Sequence, residues 1–287
     1  MAKKRTTNKR ILIPLLIIFF IVIIVSAIFF LIYTFSGNYI TLYNDAKSYD
    51  GITSEGAKNA NIIIVNGIVL GGANNEKWVP ANKLYEAQMS MAEHEVVLFS
   101  ENKSYGTYKT ASLKRYDNSV VYTTVAKEKM PNKYIAVDSK QSYGTLPGMT
   151  KLEATKDDEK YVKKAIGSYD LINGSVSINS VYATNINQPT DKIICATSKK
   201  ANLLGVYSAV IYVTKDTPYL VKYSYVRDTS NSDRWPVYSL EFVMNLNNIG
   251  APEIVLQETT GNDTSYSVLE LREDNKFYEV LKTSIEI

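Results

Sequence analysis

One cysteine, one histidine and two tryptophans are all this 287-residue chain offers of the residues most often recruited for chemistry or anchoring. A lone Cys195 excludes an internal disulfide. A lone His94 excludes a two-histidine metal site. Charge of either sign is scarce in excess: the net charge is +3. Five of the 32 Lys and Arg residues (Lys3, Lys4, Arg5, Lys9, Arg10) stand in the first ten positions, which leaves 27 against 29 Asp and Glu, or −2, for the remainder. That remainder carries neither the basic footprint of a nucleic-acid binder nor a polybasic patch for anionic lipid. There is no G-x-S-x-G elbow. Gly67, Gly71 and Gly72 lack the Lys-Ser/Thr of a phosphate loop.

What the chain does have is a charge-free apolar run over residues 11–35, directly behind the basic tail. At 1.5 Å per residue, such a run crosses a bilayer core of roughly 30 Å with room for tilt. It is longer than the ~7–15-residue core of a signal peptide, and no A-x-A site follows it. The reading is an uncleaved anchor with the tail 1–10 in the cytoplasm and the rest outside. Ser26 is the only polar residue in its middle and none is ionisable, so it does not read as a transport path. Little cysteine, much Lys, Asn, Ile and Tyr, and a bare single-span anchor point to a Gram-positive bacterium.

The fold class expected is an N-terminal transmembrane helix plus a β-rich, α+β ectodomain. Residues 36–60 read as a polar stalk. Residues 61–143 read as a β-rich subdomain, a small barrel or sandwich, opened by a hairpin at Asn66-Gly67. Residues 150–287 read as a second subdomain: a helix capped by Thr155, then a mainly antiparallel sheet. Many of the 22 tyrosines alternate with β-branched or polar residues, as in Val221-Lys222-Tyr223-Ser224-Tyr225-Val226, a period-2 pattern of strands.

Two segments some 60 residues apart echo each other: 181–194 and 242–255. Each is a strand, then Asn-x-Asn (Asn185 and Asn187; Asn245 and Asn247), a polar loop and a second apolar strand. The second resembles the strand–loop–strand unit of FG-GAP and VCBS-type extracellular repeats, with Asn245, Asn247, Ile249, Gly250 and Glu253 at the hallmark loop positions. In that family the loop carboxylates often hold Ca²⁺. Here only Glu253 is a carboxylate, and in the first copy Lys192 takes its place. Calcium wants six to eight oxygens, several of them charged. The expectation is therefore no metal and no cofactor, with Asn245 and Asn247 making turn hydrogen bonds, and two degenerate propeller-like hairpins inside one sheet. The layout also resembles membrane-anchored surface proteins of Firmicutes.

No catalytic set assembles from the sequence. Glu93 and Glu95 share the strand face opposite His94. Cys195 lies in an apolar strand. Asp157-Asp158-Glu159 reads as charge in a helix's first turn. Glu270 and Glu273-Asp274 border a turn. The chain accordingly reads as a non-catalytic, cell-membrane-anchored protein whose ectodomain binds an envelope protein or wall polysaccharide, with Trp78 and Trp235 as candidate ligand anchors. A carboxylate-dependent wall hydrolase and an accessory subunit of a transport or secretion complex are the alternatives.

Overall fold

The computed structural model describes residues 22–24, 26, 47–48, 54–75, 77–89, 93–116, 120–125, 131–140, 148–167, 176–198, 206–226, 235–273 and 275–285. Of the expected span, only Val22, Ile23, Ile24 and Ser26 are described; they are helical and exposed. The remainder of 11–35, the tail 1–10 and residues 141–147 lie outside the described residues. Among the described residues no helix is long and apolar enough to cross a membrane. Residues Thr41–Ile287 form one compact unit. It is β-rich, with antiparallel sheets and few helices.

The stretch read as a stalk contributes β1 (Lys47–Ser48) and a 3-10 turn at Ser54–Asn59. Eight strands follow: β2 (Asn61–Val65), β3 (Ile68–Asn74), β4 (Lys77–Pro80), β5 (Glu95–Ser100), β6 (Lys103–Lys109), β7 (Lys114–Tyr116), β8 (Val120–Tyr122) and β9 (Ile135–Asp138). They form one antiparallel sheet in the order β6-β5-β9-β2-β3-β8-β7, with β4 on β3. Asn66 and Gly67 both take positive φ (51° and 88°), the geometry of the tight hairpin that an Asn-Gly pair favours. The sheet curls: Thr110, just past β6, bridges to Val125, just past β8. Helix α1 (Ala81–Gln88) and the 3-10 turn cover one face. Buried Gln88 ties them together by donating to the carbonyls of Ala57 and Ala60.

Two meanders make up the rest. The first is β10 (Thr150–Leu152), β11 (Val176–Thr184), β12 (Asp191–Ser198), β13 (Val206–Thr214) and β14 (Thr217–Val226), paired in that order. The second is β15 (Val237–Met244), β16 (Glu253–Thr260), β17 (Asp263–Leu271) and β18 (Phe277–Ile285), with β1 parallel to β18 at its edge. Between β10 and β11 runs helix α2 (Lys156–Gly167). Its start is a reciprocal cap: the Asp158 N–H donates to Thr155 Oγ1 at 3.2 Å, and the Thr155 N–H donates to Asp158 Oδ2 at 2.8 Å.

The three sheets stack, and both faces of each are covered. The β15–β18 sheet is the middle layer. Phe242, Met244, Val255, Val268 and Leu281 on one face pack against Ile63, Val65, Trp78, Phe99 and Ile135 of the first sheet. Leu240, Val243, Ile254, Leu256 and Phe277 on the other face pack against Ile193, Cys195, Val210, Tyr212 and Val221 of the β10–β14 sheet. Helix α2 covers the far side of that sheet with Val162, Ala165 and Ile166. Residues 61–143 and 150–287 therefore share a core. Gly71 (φ 144°) sits at one of these contacts. A Cβ there would lie 2.3 Å from the Val79 carbonyl oxygen and 2.9 Å from a Leu281 methyl, so only glycine lets the sheets approach.

Candidate functional site

The residues singled out by type are mostly structural. Trp78 is completely buried in the core between the first and middle sheets, and its Nε1 donates to Glu270 Oε1 at 3.4 Å. It supports another side chain from below and cannot itself meet a ligand, contrary to its reading as an anchor. Trp235 is half-buried just before β15, and its indole N–H is enclosed without a partner among the described residues. His94 is buried, and burial holds its imidazole below the ordinary histidine value, with Asp138 nearby pulling the other way. Cys195 lies in β12, inside the core between the two meanders, where burial pushes its thiol up to about 11. His94 directly precedes β5 of the first sheet and Cys195 lies in β12 of the β10–β14 sheet, with the middle sheet between those two sheets. They form no nucleophile–base pair.

The echoed segments are both hairpins, and the structure realigns them. In the β11–β12 hairpin, Asp191 at the start of the second strand turns back into the loop. Its Oδ2 accepts the N–H groups of Asn187 (2.7 Å) and Gln188 (2.9 Å) and the hydroxyl of Tyr212 (2.6 Å). In the β15–β16 hairpin, Glu253 holds the same place, and its Oε2 accepts the Leu246 N–H at 2.6 Å. The counterpart of Glu253 is thus Asp191, one position before Lys192. Ile186 and Leu246 fill matching buried positions in the two loops. Asn247 Oδ1 accepts the Ile249 N–H at 2.8 Å, and Asn245 Nδ2 donates to the Gly250 carbonyl at 3.3 Å, so both amides close their own turn. No group of three or more His, Cys, Asp or Glu suited to a metal ion occurs among the described residues. Glu253 is fully buried and its Oε1 has no partner among the described residues. Burial pushes its carboxyl up to about 8; the Leu246 N–H opposes that rise and the Glu270 charge adds to it.

These two loops end on the same side of the stack as the β17–β18 turn, and the three enclose a cleft of about 850 Å³. Asn187 comes from the first loop and Ile249 from the second; Glu270, Arg272, Glu273 and Tyr278 come from the turn and its strands. Glu270 and Arg272 are two positions apart at a strand end, which puts both side chains on one face. Arg272 Nε and Nη2 each donate to Glu270 Oε2 at 2.9 Å. Glu270 Oε1 takes the Trp78 indole and Asn247 Nδ2 (3.2 Å). The Arg272 guanidinium also stacks over the Tyr278 ring, 4.5 Å from its centre. The wall of the cleft is therefore a locked polar array. Glu270 and Glu273, which border a turn in sequence, share this cleft, and Glu273 is exposed. The signal that could have found the array is the Glu-x-Arg-Glu spacing at a predicted strand end.

No protein-family model, curated protein or solved structure matches this chain significantly. Function has to be argued from the cleft and the sequence.

Proposed function

We propose that the chain is a non-catalytic cell-surface protein. Residues 11–35 anchor it by a single span with the basic tail in the cytoplasm, and the layered β body outside binds an envelope protein or wall polymer through the loop-end cleft. The observation that carries this reading is the state of Glu270. Four donors from three side chains hold it. A carboxylate so saturated is fixed in place and neutralised, which suits a binding wall and not a proton shuttle. The anchor reading rests on the five-charge tail before the apolar run.

Two measurements test it. Protease shaving of intact cells should remove the body and leave a small membrane stub; a mature chain beginning near residue 36 would overturn the anchor. Full-length protein in detergent should co-sediment with purified wall sacculi or retain an envelope protein after crosslinking, without degrading either. The carboxylate-dependent hydrolase is the second reading, because Glu270 and Glu273 line the same cleft. Its mark would be soluble fragments released from sacculi by the wild-type chain and not by Glu273→Gln.

A further inference from the structure

We propose that the loop-end cleft takes a neutral, hydroxyl- and amide-bearing sugar unit of a glycan chain. This rests on the binding reading above and names its ligand class. Four features of the cleft carry it.

Size is the first. At about 850 Å³ the cleft falls within the range of small-ligand sites, roughly 300–1,000 Å³.

Charge is the second. Arg272 is matched by Glu270, and exposed Glu273 adds one negative charge with no ion pair among the described residues. No lysine is among the described residues that line the cleft. A polyanion such as a phosphodiester polymer would be repelled, and a ligand without charge is accommodated.

The third feature is the mixture of donors and acceptors. Asn275 brings an amide with both functions, Glu273 accepts only, and Asn187 brings an amide that also bonds the Tyr212 hydroxyl. A hydroxyl donates and accepts at once, so a sugar ring can pair with such a lining beside the locked Glu270–Arg272 pair. A singly charged or apolar ligand would leave most of it unpaired.

The fourth is rigidity. The Trp78–Glu270–Arg272–Tyr278 chain of contacts is made by the protein's own side chains, so little ordering is needed on binding. The same surroundings count against a protein partner here. Ile249 is the single large apolar side chain exposed at the cleft among the described residues. A stable protein interface needs on the order of 800 Å² per partner with an apolar centre.

The test uses the full chain in detergent micelles and three probes: a tetramer of N-acetylglucosamine, a purified wall phosphodiester polymer, and sacculi stripped of that polymer. Calorimetry should show the tetramer binding, with an affinity that does not change between low and high salt, since a neutral ligand has no charge to screen. The phosphodiester polymer should not bind. Asn187→Ala and Glu273→Ala are both exposed changes. Each should weaken tetramer binding about tenfold, the cost of one or two lost ligand hydrogen bonds; the melting temperature should stay put for Glu273→Ala and fall slightly for Asn187→Ala, whose amide also bonds the Tyr212 hydroxyl. Stripped sacculi that bind while the tetramer does not would overturn the sugar proposal and leave the envelope-binding reading standing. Tetramer binding insensitive to both substitutions would overturn the site. Failure of every probe, with no envelope protein captured by crosslinking, would overturn the broader reading as well.

Discussion

The β11–β14 and β15–β18 meanders use one device in two ways. Each opens with a hairpin whose loop is held by an acid at the head of its second strand. In the first, Asp191 gathers three donors onto one oxygen. In the second, the loop is two residues longer and the acid is one methylene longer. Glu253 reaches only one loop N–H; in both acids the second oxygen is without a partner among the described residues. Tyr212 has no equivalent beside Glu253; Glu270 stands there instead, and like charge makes a carboxylate harder to ionise. The two hairpins share topology but not tension. The first is tied down, and the second ends in the Ile249–Gly250–Ala251 lip of the cleft. The same scaffold can thus be a fastening in one layer and the edge of a site in the next, depending on how many donors its acid finds.

The sharpest way to break this comparison is to remove both acids. Asp191→Ala strands the buried Tyr212 hydroxyl and two part-buried loop N–H groups and should cost on the order of 4 kcal/mol in urea unfolding. Glu253→Ala strands one and should cost about half as much. Equal losses would mean that the donor count does not set the difference. Next in size is the bond between the meanders. Lys222 of β14 is completely buried and donates to Ser267 (2.9 Å) and Glu279 (2.7 Å) of the middle sheet, with Glu258 at 3.7 Å. Lys222→Met leaves those partly buried carboxylates unpaired and should cost about 3 kcal/mol. Adding Glu279→Gln and Glu258→Gln should recover most of that, because the cost lies in uncompensated charge. A triple variant as unstable as the single one would show that Lys222 matters for packing alone.

Glu253 gives an effect spread over several pH units, with a definite sign. Its carboxyl titrates near 4.5 when unfolded and near 8 when folded. Between those values the folded chain holds a proton that the unfolded chain has released. Stability is therefore full below the lower value, falls as pH rises through the window, and levels off above about 8. The slope is at most about 1.4 kcal/mol per pH unit from this group. Glu253→Gln should flatten that part of the stability curve while leaving stability near pH 5 almost unchanged. A variant with the same slope as wild type would assign the titration elsewhere.

Much of the fold was legible in the residues. The strands from β11 to β18 stand out as runs rich in Tyr, Val and Ile, Asn66-Gly67 makes its turn, and Thr155 caps α2 with Asp158 answering it. The stacking was not. A strand covered on both faces, such as β16 with Ile254, Val255 and Leu256 all buried, loses the alternation that would say which side meets which neighbour. Trp78 shows the same limit. Beside Pro80 and a turn it reads as an anchor, and its burial comes from the middle sheet, with Val255, Val268 and Leu281 in its cluster and Glu270, 192 positions further along, taking its N–H. The cleft was hidden for a related reason, since its lining comes from three turns that only the common end of the two meanders brings together. The echo itself was visible, but a gap placed one residue off set Lys192 against Glu253. Only the hydrogen bonds to Asp191 fix the register.

Cys195 tests the tied-down half of the comparison most gently. It sits on β12 four residues after Asp191, facing the middle sheet among Ile193, Val210 and Tyr212. With the thiol pushed to about 11, roughly one molecule in 10,000 carries the reactive thiolate at pH 7, and no solvent reaches it. A thiol reagent should therefore modify native protein no faster than the first meander opens, and mild urea should speed labelling in step with unfolding. Cys195→Ala removes one buried sulfur and should cost about 1 kcal/mol. Cys195→Ser should fold too, because Ser180 and the backbone of Leu240 already offer hydrogen bonds at that position. If the meander held by Asp191 is the stable one, Asp191→Ala should raise the labelling rate of Cys195 by far more than Glu253→Ala does. The opposite order would place the weaker hairpin in the first sheet and undo the contrast between the two acids.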